Sequence, residues 1–361
     1  MTASTRDTWY VQEGPQNDVI LSSRVRLARN LSGFVFPAAI KSDDAERVES
    51  LVFDAFNQSA EKERYQMVRM SALDPLGKRI LAERGIVAAE SGNEPWRGIV
   101  IRSDGMLSAT VNMTDHVKVS CFTAGLDLRK ALNEVVAAEA ELASRLQFSA
   151  TRDFGYLTAR IEDVGSGMKV SALLCLPALC ASGLIDRAIR DCLGNGFAVQ
   201  GYYSQSGEKS LGFLYRLSLF SASGGDQESQ LARVEQGASR LAELERKARK
   251  ELFSQRPTLV EDTVYRAIVT AKYARYLPFA EAVELLGNIR YGADLGLVTG
   301  IGNVELTALL YRVQNAHLGF VILGGSIIIE GDVQSEESRL DRLRAMVIQE
   351  VLKDADIRER R

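Results

Sequence analysis

The stretch Val19-Ile20-Leu21-Ser22-Ser23-Arg24-Val25-Arg26-Leu27-Ala28-Arg29-Asn30 is an apolar run that carries arginines on alternate residues. It predicts a strand, and because side chains alternate faces along a strand, Arg24 and Arg26 should lie on one face. Two guanidinium groups so close repel each other unless an anion or a carboxylate lies between them, and a polyphosphate fits their geometry. Taken alone, these residues favour the alternative, a solvated strand face with ordinary ion pairs.

Length, charge and hydropathy describe an ordinary globular protein. The chain has 361 residues and a formal net charge of −3, which argues against a protein that coats nucleic acid. The N-terminal residues show no secretory signal, and glycines interrupt the longest apolar run, residues 318–329. We therefore expect a cytoplasmic protein with neither a nucleic-acid nor a membrane partner.

Cysteines and histidines give no sign of a metal site. The sequence has no C-x-x-C pair, and each cysteine lies in apolar surroundings that predict a reduced core thiol: Cys121, Cys175, Cys180 and Cys192. The histidines, His116 and His317, lie far apart, and neither belongs to a zinc or catalytic-triad motif. We expect no resident metal.

Periodicity predicts an α/β (α+β) fold. Strands are expected at residues 99–102, 106–119, 197–203 and 211–220, and helices at 43–61, 128–146, 173–181, 185–193, 227–253, 259–286, 304–315 and 336–357. Pro257 interrupts the long helical pattern, because the residue before a proline resists helix. We therefore predict domains at 1–256 and 257–361, the second mainly helical.

Generic nucleotide-binding motifs are missing. Residues 165–169 read Gly-Ser-Gly-Met-Lys, but Val170 follows where a phosphate loop has serine or threonine. The glycines between residues 296 and 302 have the wrong spacing for a dinucleotide-binding fingerprint.

Several further segments follow the arginine strand in order. They read V-N-M-T-D-H-V-K-V (111–119), F-G-Y-L-T (154–158), A-L-L-C-L-P-A-L (172–179) and Q-G-Y-Y-S-Q (200–205). These four segments, taken together with residues 19–30, resemble sequences of the phosphagen (ATP:guanido) kinase family, specifically of its bacterial protein arginine kinase branch. The corresponding family segments are N-E-E-D-H-L-R-I, F-G-Y-L-T, an apolar helix ending L-P-A-L, and R-G-L-Y-G-E. The resemblance implies a catalytic domain with an antiparallel sheet flanked by helices, followed by a C-terminal helical domain.

Departures from the family pattern fall on the catalytic positions. The resemblance places Thr114 and Gln205 where the family has the carboxylates that orient the guanidinium and accept its proton. Arg160 stands where the family's C-P-[ST]-N-x-G-T-G motif has its cysteine, and it repels a cationic acceptor. Strand alternation predicts that Asp115 faces away from the Thr114 side. Glu162 and Asp163 are the nearby acids that could restore activity.

The nucleotide side departs less from the family. The resemblance implies phosphate binding by Arg24 and Arg26, by Lys118 and Lys169 in place of family arginines, and by the neighbouring residues Ser22, Ser23, Val25, Val170 and Ser171. Lysine keeps the charge but loses the two-pronged guanidinium geometry. Gln200 replaces a further family arginine and loses the charge as well. We expect weak or vestigial binding of ATP with Mg.

A second site is suggested near the C-terminus. Residues 340–345, Leu-Asp-Arg-Leu-Arg-Ala, resemble the R-D-x-x-R-A phosphoarginine pocket, with Leu340 in place of the leading arginine. Asp341 and Arg344 share a helix face, so an amphipathic helix with an i,i+3 ion pair is an equal alternative.

Two functions remain open at this point. In the first, the chain is a pseudokinase that regulates a protein partner, by resemblance an arginine kinase or a Clp-type quality-control component, and forms a homodimer. In the second, it is an active phosphotransferase with rearranged acid–base residues.

Overall fold

The computed structural model describes residues 8–88, 92–203, 210–221, 226–325 and 327–358. In chain order, its strands are β1 (Ile20–Arg29), β2 (Tyr65–Arg69), β3 (Gly98–Arg102), β4 (Leu107–Val111), β5 (Val117–Ala124), β6 (Ala150–Thr151), β7 (Gly155–Tyr156), β8 (Met168–Cys175), β9 (Phe197–Gly201), β10 (Leu214–Leu219), β11 (Val298–Thr299) and β12 (Asp356–Ile357). Its α-helices are α1 (Ser42–Asn57), α2 (Pro75–Glu83), α3 (Leu128–Ala143), α4 (Pro177–Ala181), α5 (Ile185–Gly194), α6 (Gln227–Gln255), α7 (Pro257–Tyr273), α8 (Phe279–Asp294), α9 (Asn303–Arg312), α10 (Asn315–Leu323) and α11 (Glu336–Val351).

Two compact units share these elements, and neither is continuous in sequence. The first comprises Met1–Gly14, Ser22–Ala172 and Ser218–Gln236. The second comprises Pro15–Leu21, Leu173–Leu217 and Gly237–Arg361. The division of the chain into domains 1–256 and 257–361 stays a prediction.

The first unit is built on a sheet whose strands follow the order β2-β3-β4-β5-β1-β8. β1 pairs antiparallel with β5, with Arg24 opposite Phe122, Arg26 opposite Ser120 and Ala28 opposite Lys118. Val25 and Leu27, which alternate with the arginines, are completely buried. The alternation predicted for residues 19–30 is therefore confirmed. Arg24 and Arg26 are half-buried, whereas their neighbours along the strand are buried.

Local sequence explains where several helices begin. The Asp74 side chain accepts a hydrogen bond from the Gly77 amide (2.6 Å), and Pro75 supplies the first turn of α2. Asp127 caps α3 in the same way through the Lys130 amide. In the second unit, Pro257 lies in the first turn of α7, where its missing N–H costs nothing.

The second unit combines strands and helices around its own core. The end of β8, β10 and β9 are neighbours in that order, and residues 257–358 add helices α7 to α11. Buried apolar side chains from four of these helices form the core: Val264, Ile289, Leu309 and Leu343. Within α6, Arg249 is buried between the carboxylates of Glu245 (2.8 Å) and Asp294 (2.9 Å), which compensate its charge.

The predicted α/β (α+β) fold with an antiparallel sheet and flanking helices is confirmed, but several predicted elements are wrong. Residues 106–119 form two strands separated by a turn at 112–116. The apolar run 172–175 is strand, and helix begins only at Pro177. The predicted helix 259–286 is interrupted between α7 and α8, where Pro278 precedes α8. The predicted helix 336–357 ends at Val351, and β10 begins only at Leu214.

In the part of the chain that the structure describes, every helix is too short or too polar to cross a bilayer.

Candidate functional site

A group of basic side chains lies on three neighbouring strands of the first unit. Arg26 is on β1, Lys118 on β5 and Lys169 on β8, and β1 lies between the other two strands. We call these three residues the cationic cluster. Arg24, two residues before Arg26, lies with its guanidinium 4.5 Å from the centre of the Phe122 ring and its Nη2 3.4 Å from Ser120 Oγ.

The lysines of the cationic cluster are in an environment that disfavours their charge. Burial lowers the pKa of Lys118, and the positive charge of Arg26 contributes to the same shift. Burial and Arg26 lower the pKa of Lys169 in the same way. The positive charge of Arg26 therefore opposes the charged form of each lysine. A phosphate group placed among them would relieve this repulsion.

The remaining residues predicted to bind nucleotide lie on β1 and β8, the strands of Arg26 and Lys169. All have buried side chains: Ser22, Ser23, Val25, Val170 and Ser171. Ser23 Oγ donates a hydrogen bond to the Gly125 carbonyl at 2.8 Å. Their assignment as nucleotide-binding residues stays a prediction.

Thr114, at a predicted catalytic position, is exposed in the turn between β4 and β5. Asn112 opens this turn with a φ of 52°, and its amide donates to the His116 carbonyl at 3.0 Å. Asp115 therefore does not lie on a strand, and the expectation that strand alternation turns it away from Thr114 is wrong in its premise.

Asp115 is instead fixed inside the first unit. Its side chain is buried, and Oδ1 accepts hydrogen bonds from Asn30 Nδ2 (2.9 Å) and from the Ala159 amide (2.8 Å). Oδ2 lies 3.4 Å from Lys118 Nζ. The carboxylate is thus engaged by two hydrogen bonds and an ion pair inside the protein, and these contacts oppose its use in place of a carboxylate at position 114.

His116 completes this buried arrangement. Its Nδ1 accepts a hydrogen bond from the Leu31 amide (3.0 Å), so the proton is on Nε2, which donates to the Val35 carbonyl (3.0 Å). Burial lowers the pKa of His116. Asn30, Asp115 and His116 were not among the site residues predicted from sequence, although the resemblance to N-E-E-D-H placed Asp115 and His116 in the right motif.

Arg160 and the acids that follow it form a short segment near β8. Arg160 precedes a 3₁₀ turn, Ile161–Asp163, which we call the acidic turn. The Arg160 side chain is exposed, and its Nη1 lies 3.8 Å from Glu162 Oε1. Asp163 is buried. The cation at position 160 thus has a partial counter-ion in Glu162.

The other predicted catalytic positions lie elsewhere in the chain. Gln200 is exposed on β9 in the second unit. Gln205 lies outside the described residues.

Asp341 and Arg344 lie together on α11, as predicted. The buried Arg344 guanidinium donates from Nε to the Val313 carbonyl (2.8 Å) and from Nη1 to the Leu277 carbonyl (2.6 Å). It also pairs with Asp341 and with Asn315. These acceptors occupy most of its donor capacity, which favours the ion-pair interpretation of the motif over an open phosphate pocket.

Over the ranges that the structure describes, no group of three or more histidine, cysteine, aspartate or glutamate side chains is arranged to hold an ion.

Comparison with known proteins adds the evolutionary context. The model of the ATP:guanido phosphotransferase C-terminal catalytic domain matches residues 47–248, more than half of the chain, and that of the protein-arginine kinase McsB C-terminal domain matches residues 257–361. The protein-arginine kinase of Desulforamulus reducens is 33% identical over 317 residues, covering 87% of this chain and 88% of the relative. That of Bacillus pumilus is 28% identical over 347 residues, covering 96% and 93%.

Solved structures agree on the fold. A duplicated taurocyamine kinase from Schistosoma mansoni with bound transition-state-analogue components has a TM-score of 0.57 at 20% identity, covering 65% of this chain and 34% of that one. This chain therefore spans about a third of that duplicated protein. A lombricine kinase has a TM-score of 0.56 at 16% identity, covering 68% and 70%. The family models and the relatives together show that the chain belongs to the ATP:guanido phosphotransferase family, in its protein-arginine kinase branch.

Proposed function

We propose that this chain is a pseudokinase: a protein-arginine kinase homologue that binds nucleotide weakly and regulates a protein partner, with phosphoryl transfer lost or strongly impaired. The observation that supports this is a contrast within the first unit. The cationic cluster is retained on adjacent strands, whereas Thr114 presents a neutral hydroxyl and Arg160 presents a cation.

The chemistry explains why these replacements matter. A guanidinium acceptor is cationic and a poor nucleophile, so its phosphorylation needs carboxylates that orient it and remove its proton. Loss of a proton acceptor costs roughly 10²–10⁴-fold in rate, and loss of a preorganised electrostatic group roughly 10²–10³-fold. These losses are not additive, but together they leave little activity.

Nucleotide binding is affected less severely. Family members use ATP with Mg, and in this chain Arg24, Arg26, Lys118 and Lys169 are the residues that would neutralise the phosphates. Two of these are lysines, which bind phosphate as point charges without the bidentate fork of arginine. We accordingly propose weak binding. A protein partner in quality control, a homodimer and a cytoplasmic location belong to the same proposal.

An active enzyme is the second candidate, and one observation favours it. Asp163 lies close enough to Lys118 and Lys169 for its charge to raise the pKa of both, against the lowering caused by burial. A carboxylate beside the phosphate-binding group could serve as a replacement base. Its burial argues against this role, because a base must reach the acceptor guanidinium.

Restoring the family residues tests the proposal. The combined variant Thr114→Glu, Arg160→Cys, Gln200→Arg, Gln205→Glu should gain phosphoarginine formation, while each single reversion should not, because such groups act as a unit. If one single reversion restores full activity, the site is nearly intact and the proposal is wrong. Loss of wild-type activity in Asp163→Asn would support the second candidate instead.

A further inference from the structure

The acidic turn belongs to a longer segment, residues 157–167, whose N-terminal end is held near Lys118 of the cationic cluster. Asn30 Nδ2 donates to the Leu157 carbonyl at 3.1 Å, and the Ala159 amide donates to Asp115 Oδ1 at 2.8 Å. The other oxygen of that carboxylate lies 3.4 Å from Lys118 Nζ. One buried carboxylate therefore connects the start of the segment to Lys118.

The far end of the segment is held beside β1, at the start of β8. The Ala28 amide donates to the Gly167 carbonyl at 2.8 Å, and Arg29 Nη1 donates to the Ser166 carbonyl at 3.0 Å. Gly167 has a φ of 63°, and a Cβ there would lie 2.6 Å from the Ala28 carbonyl oxygen, so the close approach requires glycine. Lys169 follows two residues later on β8.

The acidic turn is thus anchored on both flanks, through Asp115 beside Lys118 and through Gly167 beside β1, two residues before Lys169. Its acids differ in environment: Asp163 is 8% exposed, whereas the Glu162 side chain is 40% exposed and faces Arg160. The negative charge of Asp163 acts on Lys118 and on Lys169, raising the pKa of each against the effect of burial. Asp163 is therefore the buried acid of the turn whose charge acts on both lysines, in addition to Asp115 at Lys118 and Glu162 at Lys169.

We propose that the acidic turn is a built-in counter-anion of the cationic cluster, with the Asp163 carboxylate competing against the phosphate groups of any ligand. This inference rests on the proposed function, since it takes the cationic cluster as the phosphate-binding site. The residues of the acidic turn lie where this chain departs from the family's cysteine motif, so the counter-anion is specific to this chain.

The competition selects among anions by charge. At neutral pH orthophosphate brings about two negative charges, fewer than a triphosphate, and so gains less from displacing the resident carboxylate. Tripolyphosphate, or the triphosphate of a nucleotide, brings more charge and more acceptor oxygens, and so gains more from the same cations. The ligand class is therefore a triphosphate, and its affinity is limited by Asp163.

Titration calorimetry on the full chain tests this with inorganic tripolyphosphate, MgATP and orthophosphate as separate ligands. Removing the carboxylate charge in Asp163→Asn should tighten tripolyphosphate and MgATP binding about tenfold. Asp163→Glu, which keeps the charge, should show no such gain. Asp54→Asn, at an exposed position on α1, is the matched control and should bind as the wild type does.

Each outcome has a defined meaning. Tighter binding in Asp163→Asn alone supports the inference, including the case in which the wild type shows no binding at all. If the wild type binds and Asp163→Asn binds equally or more weakly, with unchanged melting temperature, the counter-anion is refuted while the proposed function stands. If Asp163→Asn loses its fold, tighter binding by Asp163→Ser than by Asp163→Glu decides the question in the same way. If no variant binds any of these ligands, the cationic cluster is not a nucleotide site and both proposals fail.

Discussion

Lys118 Nζ lies 3.4 Å from Oδ2 of Asp115, a carboxylate whose other oxygen accepts hydrogen bonds from Asn30 and Ala159. The lysine that resembles a family phosphate-binding arginine therefore already has a fixed anionic partner in the protein. Since an ammonium group is a compact point charge, a phosphate ligand must share it with Asp115. The ion pair with Asp115 stabilises the charged form of Lys118 and at the same time lowers the affinity of Lys118 for a phosphate ligand.

We expect Arg26→Ala to abolish nucleotide binding. Arg26 lies on the strand between those of Lys118 and Lys169, and its charge acts on both lysines. Without it, the two lysines of the cationic cluster are nearly compensated by Asp115 and Asp163. The measurement is the increase in melting temperature caused by millimolar MgADP, with Lys62→Ala, an exposed position, as control. An undiminished increase in Arg26→Ala would show that the nucleotide binds elsewhere.

We expect the Asp115 carboxylate to stabilise the folded state. Asp115→Ala removes the acceptor of two hydrogen bonds and leaves Lys118 without its counter-ion, which should lower the free energy of unfolding by about 3 kcal/mol. Asp115→Asn keeps an oxygen for Asn30 and Ala159 and should cost less. Denaturant unfolding of both variants provides the measurement. Equal and small losses, below about 0.5 kcal/mol, would contradict the structural role.

The pH dependence of stability should contain a contribution from His116. Burial lowers its pKa, so between the folded value and the ordinary value near 6.5 the unfolded chain binds a proton that the folded chain does not. Stability from this group is therefore complete above pH 6.5 and decreases as the pH falls below it. Protonation of Nδ1 also breaks its hydrogen bond from Leu31.

Denaturant unfolding at pH 7.5 and 5.5 measures this contribution. His116→Gln should lose less stability than the wild type over that interval, because glutamine does not take up a proton. An identical pH dependence in wild type and His116→Gln would refute the assignment.

Arg344 should behave as a structural residue. Its guanidinium is buried and bonded to Val313, Leu277 and Asp341, so Arg344→Ala should lower the free energy of unfolding by about 3–5 kcal/mol. Free phosphoarginine at millimolar concentration should leave the melting temperature of the wild type unchanged. A saturable increase that is lost in Asp341→Asn would instead show a working pocket.

Sequence patterns predicted the elements with strong periodicity and missed the local interruptions. The alternation around Arg24 and Arg26 identified β1 correctly because Val25 and Leu27 point into the core while the two arginines between and beside them are only half-buried. The turn at 112–116 was missed because it depends on the left-handed backbone of Asn112, which a run of alternating residues does not reveal. Residues 172–175 are strand rather than helix, since a short apolar run fits either structure and only tertiary pairing decides.

The candidate site could be predicted only in part for a similar reason. The basic residues were predicted from the resemblance to family motifs. The positions of their acidic counter-ions depend on backbone contacts between segments that are distant in sequence. Nothing in the spacing of Asp115, Ala159 and Lys118 indicates that one carboxylate joins them. The burial of Asp163 is likewise not visible in the sequence, because the segment around it is anchored by hydrogen bonds of Ser166 and Gly167 with β1, which is distant in sequence.

The most direct test of the loss of catalysis is phosphoarginine formation by the wild-type chain. The purified protein is incubated with MgATP and either free arginine or an arginine-rich protein, and acid-labile phosphate on arginine is quantified beside an active protein-arginine kinase. With Thr114 neutral and Arg160 cationic, phosphoarginine should stay at the background of a heat-denatured sample. Robust, ATP-dependent phosphoarginine formation by the wild type would contradict the pseudokinase assignment and identify Asp163 or Glu162 as the base to examine next.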